Sequence, residues 1–330
     1  MQFSAIYLTQ NKGIFDASLR QVNAITQLRE GDVRIALEYS SLNYKDALAI
    51  SHGAPIVRSW PMVAGIDGAG TVIESAHADW QVGDKVIHQG WGAGEIYWGC
   101  LAQQVCVSGA GLVRLPPTLS TRQAMAIGTA GYTAMLCVLM LERNNITPAA
   151  GDVLVTGASG GLGSIAVALL AELGYRVVAS TAKLEEIDFL RLLGAAEVID
   201  RALLSKPNAQ PLQKSRWAAV IDAVGSHTLA NALAQTAYGG IVTACGLAQG
   251  MELPTTVAPF ILRQVQLIGI ESTMAPLALR KRAWQRLTTD LTHLKLETIT
   301  REISLAEVIP TTDKLLSGHL RGRIVVNVNS

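Results

Sequence analysis

The pattern of hydrophobic and polar residues changes once along the chain, between residues 120 and 152. Before the change, apolar and polar residues alternate in short stretches separated by glycine-rich turns: DVRIALEYS, GAGTVIES, GDKVIHQG and QQVCVSGAGLVRLP. Such alternation is typical of strands with one buried face and predicts a small, mostly β domain. Pro116 and Pro117 end this pattern, and a long apolar helix is predicted from Arg122 to Glu142.

After residue 152, strand-like apolar runs alternate with helix-like segments. Strands are predicted at DVLVTG, YRVVAS, AEVID, WAAVIDAVG, GGIVTACG and VQLIGIES, and helices at residues 162–173, 183–193 and 226–236. This alternation is typical of a parallel sheet with helices on both faces, and six strands complete the doubly wound set. The tail adds an amphipathic helix, LALRKRAWQRLTTDL, and a strand, GRIVVNV, which we expect to rejoin the first domain.

The fold class and the domain boundaries follow from this change in pattern. A chain of 330 residues is too long for one ordinary core, so two domains are expected. We predict an α/β protein whose doubly wound six-stranded parallel sheet occupies residues 123–271. Residues 1–122 and 272–330 are predicted to form the second, mostly β domain.

The composition narrows the possible partners. Hydrophobic residues make up 49% of the chain and charged residues 16%, as in a compact globular protein. The 27 basic and 26 acidic residues leave a formal charge of +1, without a basic block suited to nucleic acid. The chain is therefore expected to have no nucleic-acid partner.

The cysteines and the N-terminal stretch indicate in which cellular compartment the protein is expected. The four cysteines form no C-x-x-C pair, and MQFSAIYLTQNKG lacks the regions of a signal peptide, so we predict a cytoplasmic protein. Two windows, Gln123 to Leu141 and Val153 to Ala171, run 19 residues without a charge. We interpret both as buried elements interrupted by glycines, with a membrane span as the weaker alternative.

The segment VLVTGASGGLGSIAVALLAELG joins a predicted strand to a predicted helix through four glycines. Glycines allow a tight turn, a close approach to a pyrophosphate and close packing of helix on strand. The N-terminus of the helix then offers free N–H groups to the phosphates. The strand, turn and helix together indicate a dinucleotide site, and an ordinary tight turn is the alternative.

The stretch VVASTAK, at the end of the second strand of this domain, indicates which dinucleotide is bound. An NAD-binding fold usually carries an acid there, about 20 residues after the first glycine, which binds the ribose 2′-hydroxyl and repels a 2′-phosphate. Ser180 and Thr181 occupy this stretch instead, and Lys183 brings a positive charge. We therefore predict NADPH as the cofactor; the alternative is that Lys183 is only a solvated helix residue.

Several short motifs follow one another in a characteristic order along nearly the whole chain: SSLNYKDALAI, GIDGAGTV, GWGAGE, AMAIGTAGYTAML, VTGASGGLGS, CGLAQG, VAPFILR and GRIVV. Together they resemble the medium-chain dehydrogenase/reductase superfamily, and more narrowly its zinc-free acrylyl-CoA reductases and quinone oxidoreductases. The resemblance implies a Rossmann domain, a GroES-like catalytic domain and a homodimer that pairs through VQLIGIE.

The resemblance also implies which residues hold the cofactor. The pyrophosphate loop corresponds to Ser159, Gly160, Gly161 and Leu162, and the 2′-phosphate site to Thr181, Ala182 and Lys183, where the group usually has a TGR triplet. Further cofactor contacts are implied at Tyr44, Arg201, Leu247, Ile261 and Ser272. Gln264 stands where the group commonly has a glycine.

No metal site is expected. Zinc alcohol dehydrogenases of the superfamily carry a zinc-binding histidine where this chain has Ile66, and the chain also lacks their close-spaced cysteine cluster. Without a Lewis acid, the resemblance implies reduction of an activated carbon–carbon double bond or a quinone. The leading hypothesis is NADPH-dependent reduction of acrylyl-CoA to propionyl-CoA, with quinone reduction and NADPH binding without turnover as alternatives.

The catalytic and substrate residues are the least defined by the sequence. Tyr44 is a candidate for orienting the substrate or relaying a proton, and the alternative is that its ring only packs at a domain interface. Asp67 is a second candidate, for proton handling, and the alternative is a structural acid in a turn. Arg321 and Arg323 are candidates for binding CoA phosphates; alternatively they only support the final strand.

Overall fold

The computed structural model describes residues 2–23, 31–53 and 55–330. The chain forms two compact units. The first consists of residues 1–129, 273–288 and 296–330, and the second of residues 130–272 and 289–295.

The strands and helices follow one another along the chain, and each is labelled here in chain order. The strands are β1 (Gln2–Asn11), β2 (Ile14–Asn23), β3 (Val33–Leu42), β4 (Met62–Val63), β5 (Asp67–Ser75), β6 (Lys85–Gln89), β7 (Gln104–Val107), β8 (Val113–Arg114), β9 (Asp152–Val155), β10 (Arg176–Thr181), β11 (Glu197–Asp200), β12 (Trp217–Asp222), β13 (Thr236–Ala244), β14 (Gln266–Gly269), β15 (Thr300–Ser304) and β16 (Arg323–Asn327). The α-helices are α1 (Tyr44–His52), α2 (Thr121–Arg143), α3 (Gly161–Glu172), α4 (Ile187–Leu193), α5 (Ala202–Ser205), α6 (Ser226–Ala234), α7 (Ala258–Arg263), α8 (Leu277–Asp290), α9 (His293–Ile299) and α10 (Val308–Leu316).

The first unit is built on two sheets. Strands β2, β1 and β4 form one, and the other runs in the order β15-β16-β3-β5-β6-β8, with β7 also paired to β3. The strand β16 lies antiparallel to β3, with Ile324 opposite Leu42, so the prediction that the tail strand rejoins the first domain is confirmed. The apolar residues of β3 and β16 are buried in one core together with Trp80 and Leu101.

The hairpin of β1 and β2 was not among the predicted strands. These strands pair over their whole length, from Gln2 opposite Asn23 to Asn11 opposite Ile14. Lys12 and Gly13 form the turn with φ values of +50° and +82°. The burial of β1 depends on packing against the rest of its unit, and its alternation is weak because Ala5, Ile6, Tyr7 and Leu8 are buried consecutively.

The second unit contains the predicted doubly wound sheet. Its strands are all parallel and run in the order β11-β10-β9-β12-β13-β14, so the predicted six-stranded sheet is confirmed. The predicted helix at 183–193 begins instead with a 3₁₀ turn, Leu184–Glu186, before α4. The sheet core includes Leu154, Val178, Val220 and Val242, one from each of four neighbouring strands.

The long apolar helix α2 is interrupted inside its span. Gly128 has φ 52° and ψ −163°, values that no helical residue adopts. Within the described part of the chain, α2 is the helix that is long and apolar enough to cross a membrane, and 83% of its most apolar window is buried in the protein. The other charge-free window forms β9, a turn and α3.

Candidate dinucleotide site and buried acidic centre

The glycine-rich turn of the second unit joins β9 to α3 with closely packed backbone. Gly157 has a φ of +60°, in the left-handed region that favours glycine. A Cβ atom on Gly163 would lie 2.3 Å from the carbonyl oxygen of Gly157, so a larger residue there would force the turn open. The backbone after Ser159 enters α3 at Gly161, and the first N–H groups of this helix suit a pyrophosphate.

Hydrogen bonds join this turn to the carboxyl ends of β10 and β11. The hydroxyl oxygens of Ser159 and Thr181 lie 2.9 Å apart. The backbone N–H of Lys183 donates to the Thr181 hydroxyl at 3.0 Å, and that of Arg201 donates to the Thr181 carbonyl at 2.8 Å. We call Ser159, Thr181, Lys183 and Arg201 the β10-end cluster. The structure therefore brings Ser159 of the glycine-rich turn and Arg201 next to the stretch that contains Thr181 and Lys183.

Exposure differs among the predicted residues near the end of β10. Lys183 is half-buried, and Ala182 and Arg201 are exposed, so all three have surface that a ligand can reach. Ser180 is buried, and its hydroxyl oxygen has no hydrogen-bond partner among the described residues. The Ser180 hydroxyl is therefore not exposed to a ligand.

The remaining cofactor candidates of the second unit lie further along its sheet. Leu247 follows β13, Ser272 follows β14, and Ile261 is part of α7. Leu247 is 54% exposed and Ile261 is 72% exposed, which leaves both side chains available for apolar contact. The structure places Leu247 and Ser272 beyond the carboxyl ends of parallel strands, the edge at which doubly wound sheets bind ligands.

Asp222 was not identified from the sequence, although it supports the ligand-binding edge of the second unit. Its carboxylate accepts hydrogen bonds from the Thr156 hydroxyl at 2.7 Å and from the backbone N–H of Gly225 at 2.8 Å. Burial raises the pKa of Asp222 above its ordinary value. The carboxylate ties the loop after β12 to the residue before the glycine-rich turn. The sequence signal that could have identified Asp222 is an acid at the end of an otherwise apolar strand, WAAVID, which is fully buried in the structure.

Asp67 is the centre of a buried polar cluster in the first unit. Its side chain accepts hydrogen bonds from the Ser41 hydroxyl at 2.6 Å and from the Asn43 amide at 2.8 Å. It also accepts bonds from the backbone N–H and the hydroxyl of Thr129, at 2.8 and 2.5 Å. Asp67 is fully buried, and both of its carboxylate oxygens are occupied. This arrangement is that of a structural acid, the alternative that the sequence had left open.

A second buried acid, Asp46, lies in the same cluster. Its carboxylate accepts hydrogen bonds from the backbone N–H groups of Asn43 and Ile66, at 2.9 and 3.0 Å. Together with Asn43 it caps the start of α1. Burial, and after it the neighbouring charge of Asp67, raises the pKa of Asp46 to about 7.

Arg323 supplies the buried cation of this cluster, which we call the Asp67 centre: Ser41, Asn43, Asp46, Asp67, Thr129 and Arg323. The Arg323 guanidinium donates to the Asn43 amide oxygen and the Ala126 carbonyl, both at 2.9 Å. Arg323 is 2% exposed, so its proposed role as a contact for CoA phosphates is not supported. It braces the final strand instead, as the alternative held. Arg321 is exposed.

The break in α2 at Gly128 has a direct cause in this centre. A Cβ atom at residue 128 would lie 2.3 Å from a guanidinium nitrogen of Arg323 and 2.8 Å from a carboxylate oxygen of Asp67. The positive φ of Gly128 also turns the backbone so that the N–H of Thr129 reaches Asp67. The glycine therefore provides both the space and the backbone conformation that the centre requires.

Tyr44 is the first residue of α1 and follows Asn43 directly. Its side chain is 43% exposed, in contrast to the buried side chains of Asn43 and Asp46 beside it. The Asp67 centre therefore holds the backbone on which Tyr44 stands, while the phenol itself remains accessible.

Position 66, where the resemblance implies a zinc-binding histidine in the zinc alcohol dehydrogenases, carries an apolar side chain. Ile66 is 7% exposed, and its backbone N–H is bound by Asp46. Among the described residues, no group of three or more His, Cys, Asp or Glu side chains is arranged to hold a metal ion. The donor set at this place, one isoleucine with two acids already hydrogen-bonded, does not fit zinc.

Two family models match the chain, one in each half. The model of the alcohol dehydrogenase GroES-like domain matches residues 29–117. The model of zinc-binding dehydrogenases matches residues 161–289.

Proteins similar to this chain over its whole length include reductases with different names. The acrylyl-CoA reductase of Ruegeria pomeroyi is 46% identical over 330 residues, 99% of this chain and 100% of that protein. The putative quinone oxidoreductase YhfP of Bacillus subtilis is 41% identical over 327 residues, 99% of both, and its crystal structure has NAD bound. The yhdH oxidoreductase of Salmonella enterica, solved with NADP, is 46% identical with a TM-score of 0.96, covering 98% of this chain and 99% of that one.

Proposed function

The chain belongs to the medium-chain dehydrogenase/reductase superfamily, in the group of acrylyl-CoA reductases and quinone oxidoreductases, and we propose that it reduces acrylyl-CoA to propionyl-CoA with NADPH. The observation that carries the cofactor assignment is the β10-end cluster, which places the half-buried Lys183, and no acid, where an acid would repel a 2′-phosphate. The substrate assignment is supported by full-length similarity to the Ruegeria pomeroyi reductase.

The residues of the second unit fit a dinucleotide. Glycines at 157 and 163 keep the turn compact, so that the N-terminus of α3 is free to accept a pyrophosphate. Lys183 would bring a positive charge to the 2′-phosphate, and the buried Thr181 hydroxyl, bonded to Ser159 and to the Lys183 N–H, would hold that segment in place. When bound, NADPH supplies the hydride that adds to the β-carbon of the substrate.

In the first unit we assign the substrate-orienting role to Tyr44. Negative charge develops on the thioester oxygen during reduction, and a phenol hydroxyl can donate a hydrogen bond to it or pass a proton to the α-carbon. Asp67 is assigned a positioning role, because its oxygens already accept hydrogen bonds from Ser41, Asn43 and Thr129. It holds Asn43, and through Asn43 the start of α1.

Arg321 remains a proposed contact for the phosphates of CoA. It is exposed and precedes the final strand. If it attracts the phosphates, Arg321→Ala raises the KM for acrylyl-CoA, and the effect shrinks as added salt screens the charges. An unchanged KM at low salt would remove Arg321 from the substrate site. Lys206→Ala is the matched control, since Lys206 is an exposed cation that has no assigned role.

The function is tested by comparing substrates directly. NADPH oxidation is followed with acrylyl-CoA, crotonyl-CoA and a small quinone under identical conditions. We expect the highest kcat/KM with acrylyl-CoA. Rapid quinone reduction without detectable turnover of either thioester would replace this proposal with the quinone reductase that the Bacillus subtilis relative is named for. No turnover with all three would favour NADPH binding without catalysis.

We also propose a cytoplasmic homodimer. The strand β14 lies at the edge of the six-stranded sheet, beside β13, and can pair with the same strand of a second copy across a two-fold axis. Sedimentation at micromolar concentration should give twice the mass of the chain. Replacing the half-buried Ile268 with lysine should shift the mass toward the monomer, whereas the same change at exposed Val82 should not. A monomeric wild-type protein would contradict the proposal.

A further inference from the structure

The loop that follows β13, residues 245–250, packs its backbone directly against the loop that follows β12. Gly225 pairs with Gly250 as in a parallel sheet, and a Cβ atom on Gly225 would lie 2.7 Å from the Gly250 carbonyl oxygen. The backbone N–H of Gln249 donates to the Val224 carbonyl at 2.8 Å. The two loops therefore hold each other in place at the edge where the parallel strands end.

Gln249 supplies a hydrogen-bond acceptor to the start of α6. The helix begins after Gly225, which has no side chain with which to cap it. The side-chain oxygen of Gln249 accepts hydrogen bonds from the backbone N–H of Thr228 at 3.1 Å and from its hydroxyl at 2.7 Å. Because the first N–H groups of a helix have no partner within the helix, Gln249 takes the place of an N-cap residue from a different loop.

The side-chain nitrogen of Gln249 is bound as well. It donates to the carbonyl of Ser205, the last residue of α5, at 2.9 Å. Gln249 is exposed, but Thr228 is only 1% exposed, so removal of the glutamine amide would leave the polar groups of a buried residue without their acceptor. The Gln249 side chain therefore ties the loop at 245–250 to both α5 and α6.

This loop lies on the half of the sheet that does not carry the β10-end cluster. Strands β9, β10 and β11 form one half, and β12, β13 and β14 form the other. A doubly wound sheet binds a dinucleotide across its middle, with one mononucleotide on each half. The β10-end cluster is assigned to the 2′-phosphate, and thus to the adenosine, so the nicotinamide falls to the half with the loop at 245–250. Leu247, which is 54% exposed, lies in this loop.

We propose that Gln249 is a positioning residue for the nicotinamide half of the cofactor, because its bonds to Thr228 and Ser205 keep the loop that carries Leu247 in its binding conformation. The inference rests on the proposed NADPH site and concerns one half of it. A site that adopts its binding conformation for only a fraction of the time loses apparent affinity by that fraction. Loss of the Gln249 side chain should therefore weaken a ligand that contains nicotinamide and spare one that consists of the adenosine half alone.

Gln249→Ala tests this with two ligands that share the 2′-phosphate. NADPH contains the nicotinamide, adenosine 2′,5′-bisphosphate lacks it, and isothermal titration gives the Kd of each. We expect the variant to bind NADPH about 10-fold more weakly, from the loss of the amide's hydrogen bonds, and the bisphosphate within about 2-fold of the wild type. Equal weakening of both ligands would make Gln249 a general structural residue, and unchanged NADPH affinity would also overturn the proposal.

Gln235→Ala is the matched control, because Gln235 follows the other end of α6. Its side chain accepts a hydrogen bond from Nε1 of Trp217 at 3.1 Å and donates to Gln213 at 2.8 Å. Trp217 is the first residue of β12, so these bonds lie at the amino end of the strand, away from the ligand-binding edge. Gln235→Ala should change the affinity for neither ligand, and a loss of NADPH affinity equal to that of Gln249→Ala would contradict the proposal.

Thr228→Val provides a second test should Gln249→Ala fail to fold. It keeps the shape of the side chain and removes only the hydroxyl that binds Gln249. We expect NADPH affinity to fall about 3-fold, with bisphosphate affinity unchanged; unchanged NADPH affinity, or equal weakening of both ligands, would contradict the role of Gln249. A wild-type protein that binds neither ligand would overturn the cofactor assignment itself, and this inference with it.

Discussion

The β10-end cluster and the Asp67 centre use the same kinds of polar group in opposite ways. In the first, Lys183 and Arg201 keep exposed surface, and the bonds between members are backbone or hydroxyl contacts. In the second, two acids and an arginine are fully buried, and their side-chain atoms are bound to one another or to backbone. An exposed polar group can form a hydrogen bond or ion pair with a ligand. A buried polar group whose hydrogen bonds are all made within the protein can only stabilise the fold. Substitutions should therefore change affinity in the first region and stability in the second.

The largest effect is expected for Arg323→Met. This variant leaves the Asn43 amide oxygen and the Ala126 carbonyl without their donor, and two buried acids without their cation. Removing one member of a buried charged set costs about 3–5 kcal/mol of the free energy of unfolding. Urea denaturation should show this loss, whereas Arg321→Met, at an exposed position, should change stability by no more than about 0.5 kcal/mol. Equal losses of unfolding free energy for the two variants would show that Arg323 stabilises the fold no more than the exposed Arg321 does.

The pH dependence of stability should carry the signature of Asp46. Its pKa is about 7 in the folded protein and 3.8 as an ordinary aspartate, so the folded state binds the extra proton between these values. Stability gained from this proton is complete below about pH 4 and declines as the pH rises toward 7. Urea midpoints of the wild type and of Asp46→Asn, measured from pH 4 to 8, isolate this contribution from other acids. A constant difference between the two proteins over that range would contradict the shift.

Lys183→Ala should produce a moderate effect on affinity with little effect on stability. The loss of one hydrogen bond to a charged group weakens NADPH binding by about 1–3 kcal/mol, while NADH, which has no 2′-phosphate, is bound nearly as before. Isothermal titration with both cofactors measures the difference, and Lys206→Ala serves as the surface control. If the binding of both cofactors were weakened equally, Lys183 would have a structural role, like the residues of the Asp67 centre.

A smaller effect is expected at Gln264. This residue follows α7 with a φ of +51°, in the left-handed region that favours glycine. Glycine adopts this conformation without strain, but replacing glutamine also removes its hydrogen bond with the Tyr238 hydroxyl. We expect Gln264→Gly to raise the free energy of unfolding by less than about 1 kcal/mol and to leave cofactor affinity unchanged. A marked change in NADPH affinity would show that binding and stability are not separable in the second unit.

The smallest expected effect is that of a chelator. Position 66 carries isoleucine, and Asp46 and Asp67 beside it are engaged in hydrogen bonds. Treatment with EDTA should alter neither activity nor the thermal midpoint, and elemental analysis should find no stoichiometric zinc. One tightly held zinc ion per chain would show that the Asp67 centre has a ligand-binding role after all.

The sequence by itself determined the strands and helices in which apolar residues recur at a regular spacing. It also determined the tight turn after β9, which requires glycines. The six strands of the parallel sheet, the glycine-rich turn after β9 and the strand GRIVVNV were predicted because their residues report their own environment within a few positions. The missing acid after β10 was equally readable, since it stands at a fixed distance from that turn.

Only the tertiary structure decided what the isolated charged residues do. Asp67 meets Asn43, 24 positions away, and Thr129, 62 positions away, while Arg323 meets Asn43 across 280 positions. Contacts between residues so far apart leave no pattern in the neighbouring sequence. A buried structural arginine such as Arg323 and an exposed one such as Arg321 therefore cannot be told apart from the sequence. The fold separates them because burial removes water from the Arg323 guanidinium and leaves only protein atoms to bind it, while Arg321 stays at the exposed surface.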